Sequence, residues 1–79
     1  MSEKELLTIA ENADMVVDGY AFTKVDNFFS ILNLNKPTSA MTIFSDGKII
    51  ETNMDPIEQA LVLSYWRRNA FLLESVENA

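Results

Sequence analysis

The sequence predicts an α+β fold in the order α-β-β-β-β-α. Three observations carry it. A Ser-x-x-Glu box precedes an apolar stripe near the N-terminus, two pairs of β-branched and aromatic runs are each joined by a short turn signal, and an Asp-x-x-Glu box opens a long apolar segment that continues almost to the last residue. Short connections make sequential hairpins neighbours, so a four-stranded antiparallel meander with both helices packed on one face is expected.

The first helix is expected over about residues 3–13. Ser2 and Glu5 can each satisfy a free backbone N–H of the other, and Leu6, Ile9, Ala10 and Ala13 share one face. Met15, Val16 and Val17 then lead into Asp18-Gly19, where glycine tolerates positive φ and the chain turns. The first hairpin joins Tyr20–Val25 to Phe28–Leu34 through Asp26-Asn27. A two-residue loop there sets Val25 opposite Phe28, Thr23 opposite Ser30 and Ala21 opposite Leu32. Lys24, Phe22 and Tyr20 then oppose Phe29, Ile31 and Asn33. Neither face is cleanly polar, so the pair alone does not choose its core side. Pro37 has no N–H for a ladder and biases Lys36 to extended backbone, so residues 33–39 read as strand end and loop.

The second hairpin joins Ala40–Phe44 to Lys48–Asn53 at Ser45-Asp46-Gly47. A two-residue loop at Asp46-Gly47 pairs Ile43 with Ile50 and Phe44 with Ile49. Met41, Ile43, Ile50 and Thr52 then form the core face, with Phe44 and Ile49 exposed opposite. The last helix is expected over about residues 55–76, with Asp55 as N-cap, Pro56 in the first turn and Glu58 completing the box. Its apolar residues, Leu61, Val62, Leu63, Tyr65, Trp66, Ala70, Leu72, Leu73 and Val76, cover an arc of about 200°, twice the ~100° that an ordinary surface helix needs. The expected core is Leu6, Ile9, Ala13, Val17, Phe22, Ile31, Met41, Ile43, Ile50, Ile57, Leu61, Tyr65, Trp66, Leu72 and Leu73.

Composition limits the chemistry. The 79 residues fit one domain, residues 1–79. Zero Cys and zero His remove disulfides, thiolate nucleophiles, serine–histidine triads and His- or Cys-held metals. The formal net charge of -6 disfavours direct contact with nucleic acid or anionic membrane, both of which recruit Lys and Arg. No apolar run reaches the roughly 18 residues needed to span a bilayer, and residues 1–5 lack a signal-peptide pattern, so a cytoplasmic protein is expected.

Individual motifs favour structural roles. Asp14, Asp18 and Asp26 lack the alternating spacing of a Ca²⁺ loop, so they read as turn and cap residues. Asp46-Gly47-Lys48 sits between strands, without the glycines or following helix of a phosphate cradle. Lys24 and Lys48 could turn nucleophilic if buried, but each can reach water, and Asn33, Asn35 and Asn53 suit Asx-turns. Arg67-Arg68 could clamp an anion but more simply solvates the helix. No catalytic, cofactor or metal residue is assigned.

The expected function is a non-enzymatic protein-interaction module, binding another protein or a second copy as a homodimer. Self-association would run through the C-terminal helix or the Phe44/Ile49 strand face, and the candidate interaction surface is Phe44, Ile49, Trp66, Arg67, Ala70 and Phe71. The alternatives are an acidic inhibitor that mimics nucleic acid toward a basic partner, and a small-molecule-binding domain.

Overall fold

The computed structural model describes residues 2–78, and side-chain surroundings for residues 2–69. Ser2 Oγ accepts from the Glu5 N–H at 3.2 Å, so helix α1 (Glu3–Asn12) starts where its box places it. The chain then forms five strands, not four: β1 (Met15–Val17), β2 (Tyr20–Val25), β3 (Phe28–Asn33), β4 (Ala40–Phe44) and β5 (Ile49–Thr52). They pair antiparallel in the order β1-β2-β3-β4-β5. Helix α2 (Pro56–Asn78) closes the chain, with the Glu58 N–H on Asp55 Oδ1 at 2.8 Å.

The added strand β1 follows from the Asp18-Gly19 turn. Both residues have positive φ, 50° and 84°, which suits a tight two-residue hairpin and returns the chain along Met15–Val17. A three-residue strand is too short to announce itself by alternation.

The β2–β3 register is the one expected, from Tyr20 opposite Asn33 to Val25 opposite Phe28. The β4–β5 hairpin differs. The Gly47 N–H donates to the Phe44 carbonyl and the Phe44 N–H to the Lys48 carbonyl, giving a three-residue loop that ends on Gly47 at φ 91°. Ile43 therefore faces Ile49 rather than Ile50, and an irregularity beyond it restores Thr42 opposite Glu51. Ile50, expected in the core, is 44% exposed in consequence.

Strand alternation separates two faces. On one, Tyr20, Phe22, Phe29, Ile31, Met41 and Ile43 pack with Met54 and with Val62 and Trp66 of α2. On the other, Ile9 of α1 borders Ala21, Thr23, Leu32 and Ala40. The helices thus lie on opposite faces of the sheet, correcting the expectation of one shared face. The alternating residues Ala21 and Leu32 need cover as much as Phe22 and Ile31 do, and α2 serves only one side.

Within α2, Val62 and Trp66 are buried, whereas Ile57 and Leu61, both expected in the core, are 84% and 43% exposed. The sheet receives only a narrow stripe of the helix, Val62 and Trp66 with Leu63 and Tyr65 beside them, so Leu61 stays outside. Leu6, Ile9 and Ala13 are half-buried, as are Val17 and Tyr65 beside the main core. Leu72 and Leu73 lie outside the residues whose side chains are described.

Trp66 closes the far end of the sheet. Its ring meets Phe29 edge-on at 6.2 Å and lies over Gly47, where a Cβ would fall 2.8 Å from Trp66 Cζ3. Gly47→Ala therefore meets both a left-handed backbone and a collision. It is expected to lower the unfolding free energy by about 2 kcal/mol, measured by urea denaturation.

Candidate functional site

A polar constellation centres on Glu58. One carboxylate oxygen accepts from Tyr20 OH at 2.7 Å and Asn33 Nδ2 at 3.0 Å, and the other from Ser39 Oγ at 2.7 Å. These groups come from β2, the end of β3, the β3–β4 loop and the first turn of α2. The hydroxyl donors, with Ser39 itself buried, hold the Glu58 carboxyl below its ordinary value; Asn33 and the Lys36 charge act in the same direction. Desolvation, followed by the Glu58 hydrogen bond, pushes the Tyr20 phenol up to about 12.

Neighbouring bonds extend the same tie. The Asn53 amide donates to the Thr38 carbonyl, and its oxygen accepts from the Ala40 N–H at 2.9 Å. Tyr65 OH donates to Asp18 Oδ2 at 2.6 Å, which raises the Tyr65 phenol pKa. Together they pin the start of α2 to the sheet and its loops. Tyr20, Asn33 and Ser39 all bond to the Glu58 carboxylate, so this cluster is a clasp between α2 and the sheet. Among the described residues no group of three or more His, Cys, Asp or Glu is placed to hold a metal ion.

The second constellation is apolar and lies on the α1 side of the sheet. Val25 is opposite Phe28, and Phe28 opposite Phe44, so the three form one row across β2, β3 and β4. Val25 is 40% and Phe44 47% exposed, with Phe28 half-buried between them. Beside this row runs a second, of small polar residues: Thr23, Ser30 and Thr42, ending at Glu51 on β5. Ile9 of α1 lines one pocket with Thr23, Val25 and Ser30 of these rows. The flank of α1 there carries Lys4, Glu5, Thr8 and Ile9. Asp26 and Asp46 stand at the two hairpin turns beyond the apolar row, and these turns are linked by Ser45 Oγ donating to the Asn27 carbonyl at 2.9 Å.

The expected surface residues fall into separate places. Phe44 is on this open face. Ile49, expected beside it, is opposite Ile43 instead, because the three-residue loop moves the register by one. Trp66 is not a surface residue at all: it is 8% exposed, sealed by Phe29 and the Gly47 turn. Arg67 is exposed on α2, while Ala70 and Phe71 lie outside the residues whose side chains are described. Val25 and Phe28 were missed as surface residues, although their pairing was expected; the missing datum was the face that α2 takes. The Glu58 clasp was missed because a capping box accounts for the same glutamate locally.

A family model matches residues 3–73 of the chain. No curated protein and no solved structure matches it.

Proposed function

The chain belongs to a family of unknown function (DUF7723), so its own geometry must carry a functional reading, and we propose that it is a non-enzymatic protein-interaction module. The docking surface is the exposed apolar row on the α1 side of the sheet, at its hairpin end. The observation that carries this is the Val25–Phe28–Phe44 row, large apolar side chains aligned on three adjacent strands, with Val25 and Phe44 exposed. The occupant is a different protein. Two copies would each bring a net charge of -6 to the contact, which opposes their approach.

The nucleic-acid-mimic reading gains less from the geometry. Asp14, Asp18, Asp46, Asp55 and Glu58 are engaged with the chain's own groups rather than presented outward together.

The test is affinity capture from the native host with three forms of the full chain: the natural sequence, Val25→Ser/Phe44→Ser, and Ile57→Ser/Leu61→Ser. A partner held by the first and third but lost by the second supports the proposal. Capture that is identical for all three overturns it. Size-exclusion chromatography with light scattering covers the homodimer form. Dimers abolished by the Val25/Phe44 variant would make the occupant a second copy, and a strict monomer at high micromolar concentration would remove that form.

A further inference from the structure

We infer that α1 is a hinged lid on the sheet. It swings away about Asp14 while the sheet and α2 stay folded, and uncovers Ala21 and Leu32 beside the Val25–Phe28–Phe44 row. The use of the lid rests on the docking surface proposed above; its opening does not.

The two helices are held differently. Helix α2 buries Val62 and Trp66 and is tied to the sheet through Glu58 and Tyr65. Helix α1 buries no side chain: Leu6, Ile9 and Ala10 are half-buried, and Leu7 is 63% exposed. Among the described residues, the hydrogen bonds of its side chains stay within the helix and its cap, linking Ser2 with Glu5, Thr8 with Lys4 and Asn12 with Thr8. Cavities of about 370 and 320 Å³ open along its flanks, the first beside Leu6, Leu7, Ala10 and Leu34, the second between Ile9 and the strand residues Ala21, Leu32 and Ala40. A closely packed helix leaves no such room.

The hinge lies where α1 ends. The Asp14 N–H donates to the Phe22 carbonyl at 2.9 Å, and Asp14 Oδ2 accepts from the Lys24 N–H at 2.6 Å. Ala13, between the helix and this anchor, has extended backbone with φ -69° and ψ 146°. One end of α1 is therefore fixed to β2, and the other has no polar tie to the sheet. A ten-residue helix is shorter than the roughly 12–15 residues that hold alone in water, so α1 depends on this light docking. Opening such a segment costs less than unfolding the whole domain. Ala21, 1% exposed, borders Ile9, so it is shielded only while α1 is down. A raised α1 adds Ala21 and Leu32 to the exposed row. The lid and the partner thus compete for one apolar face, and binding selects the open form.

The chain has no Cys, so one introduced thiol reports one place. Ala21→Cys sets it beneath α1, and Val62→Cys, at a fully buried position of α2, sets it in the main core. The probe is iodoacetamide, small and neutral, under native conditions. The Ala21→Cys thiol should be alkylated at least about a hundredfold faster than the Val62→Cys thiol. Adding Ile9→Ser should speed the first by about tenfold or more and leave the second unchanged. Circular dichroism checks that the variants fold. Equal rates at the two positions, or an equal rise at both with Ile9→Ser, would overturn the lid, because α1 would then leave only with global unfolding. Native-state hydrogen exchange asks the same of the unsubstituted chain: α1 amides should exchange at least about a hundredfold faster than those of β2 and β3, and equal protection would also overturn the lid. Host capture by the Ile9→Ser form should exceed that by the natural sequence by about threefold or more; unchanged or weaker capture would overturn the competition. The docking surface itself stands or falls separately, on capture by Val25→Ser/Phe44→Ser.

Discussion

Trp66→Ala is expected to lower the unfolding free energy by about 3–5 kcal/mol, the range for removing a large aromatic from a packed core. A domain of this length has only about 4–12 kcal/mol in total, so the variant should be marginal or unfolded in plain buffer. Far-UV circular dichroism under urea reads this without depending on the lost fluorophore. The size of the effect comes from position: Trp66 bridges α2 to Phe29 and to the β4–β5 turn, and its removal uncovers both. Trp66→Phe should cost much less. Among the described residues the Trp66 Nε1–H is buried without a hydrogen-bond partner, so phenylalanine loses ring volume but also removes an unsatisfied donor. If alanine and phenylalanine destabilise equally, the ring contacts assigned here are not what matters at this site.

Glu58→Ala should be the most damaging polar substitution, at about 2 kcal/mol. It strands the hydroxyls of Tyr20 and Ser39, both in buried residues, and frees the Asn33 amide. The figure is held down because Glu58 is itself only partly buried and water can replace some of the lost bonds. Glu58→Gln keeps one carbonyl acceptor and should fall between. The sign of the pH effect follows from the depressed carboxyl. Folding lowers the Glu58 pKa from 4.5, so the clasp is fully stabilising at neutral pH. As pH drops below that value the unfolded chain takes up its proton first, and the benefit is lost as pH falls through the folded pKa. The stability gap between the natural chain and Glu58→Gln, measured from pH 7 to pH 3, should therefore narrow on the acid side. A gap independent of pH would show that the charge on Glu58 contributes nothing to the clasp.

The same residue shows what local reading captures. Asp55 and Glu58 are recognisable as a helix start because the capping geometry is contained within four adjacent residues, and the Asp55 half forms as expected. The other half is displaced. Tyr20, Asn33 and Ser39 converge on the Glu58 carboxylate from 38, 25 and 19 residues away in sequence, and nothing in their spacing announces that meeting. The candidate docking surface divides similarly. Pairing of Val25 with Phe28 is legible from the Asp26-Asn27 turn, but exposure is not, because it depends on which face α2 occupies.

By itself, then, the sequence determined the α+β class, the positions of both helices, the β2–β3 register and the exclusion of His and Cys chemistry. All of these rest on contacts between near neighbours or on composition alone. Tertiary structure decided the rest: a fifth strand, helices on opposite faces, and Val25, Ile50 and Leu61 outside. The physical reason is that both sides of this sheet carry apolar residues, so period-two alternation cannot say which helix covers which side. That choice is made only when the whole chain is packed at once, and it leaves Val25 and Phe44 exposed on the α1 side.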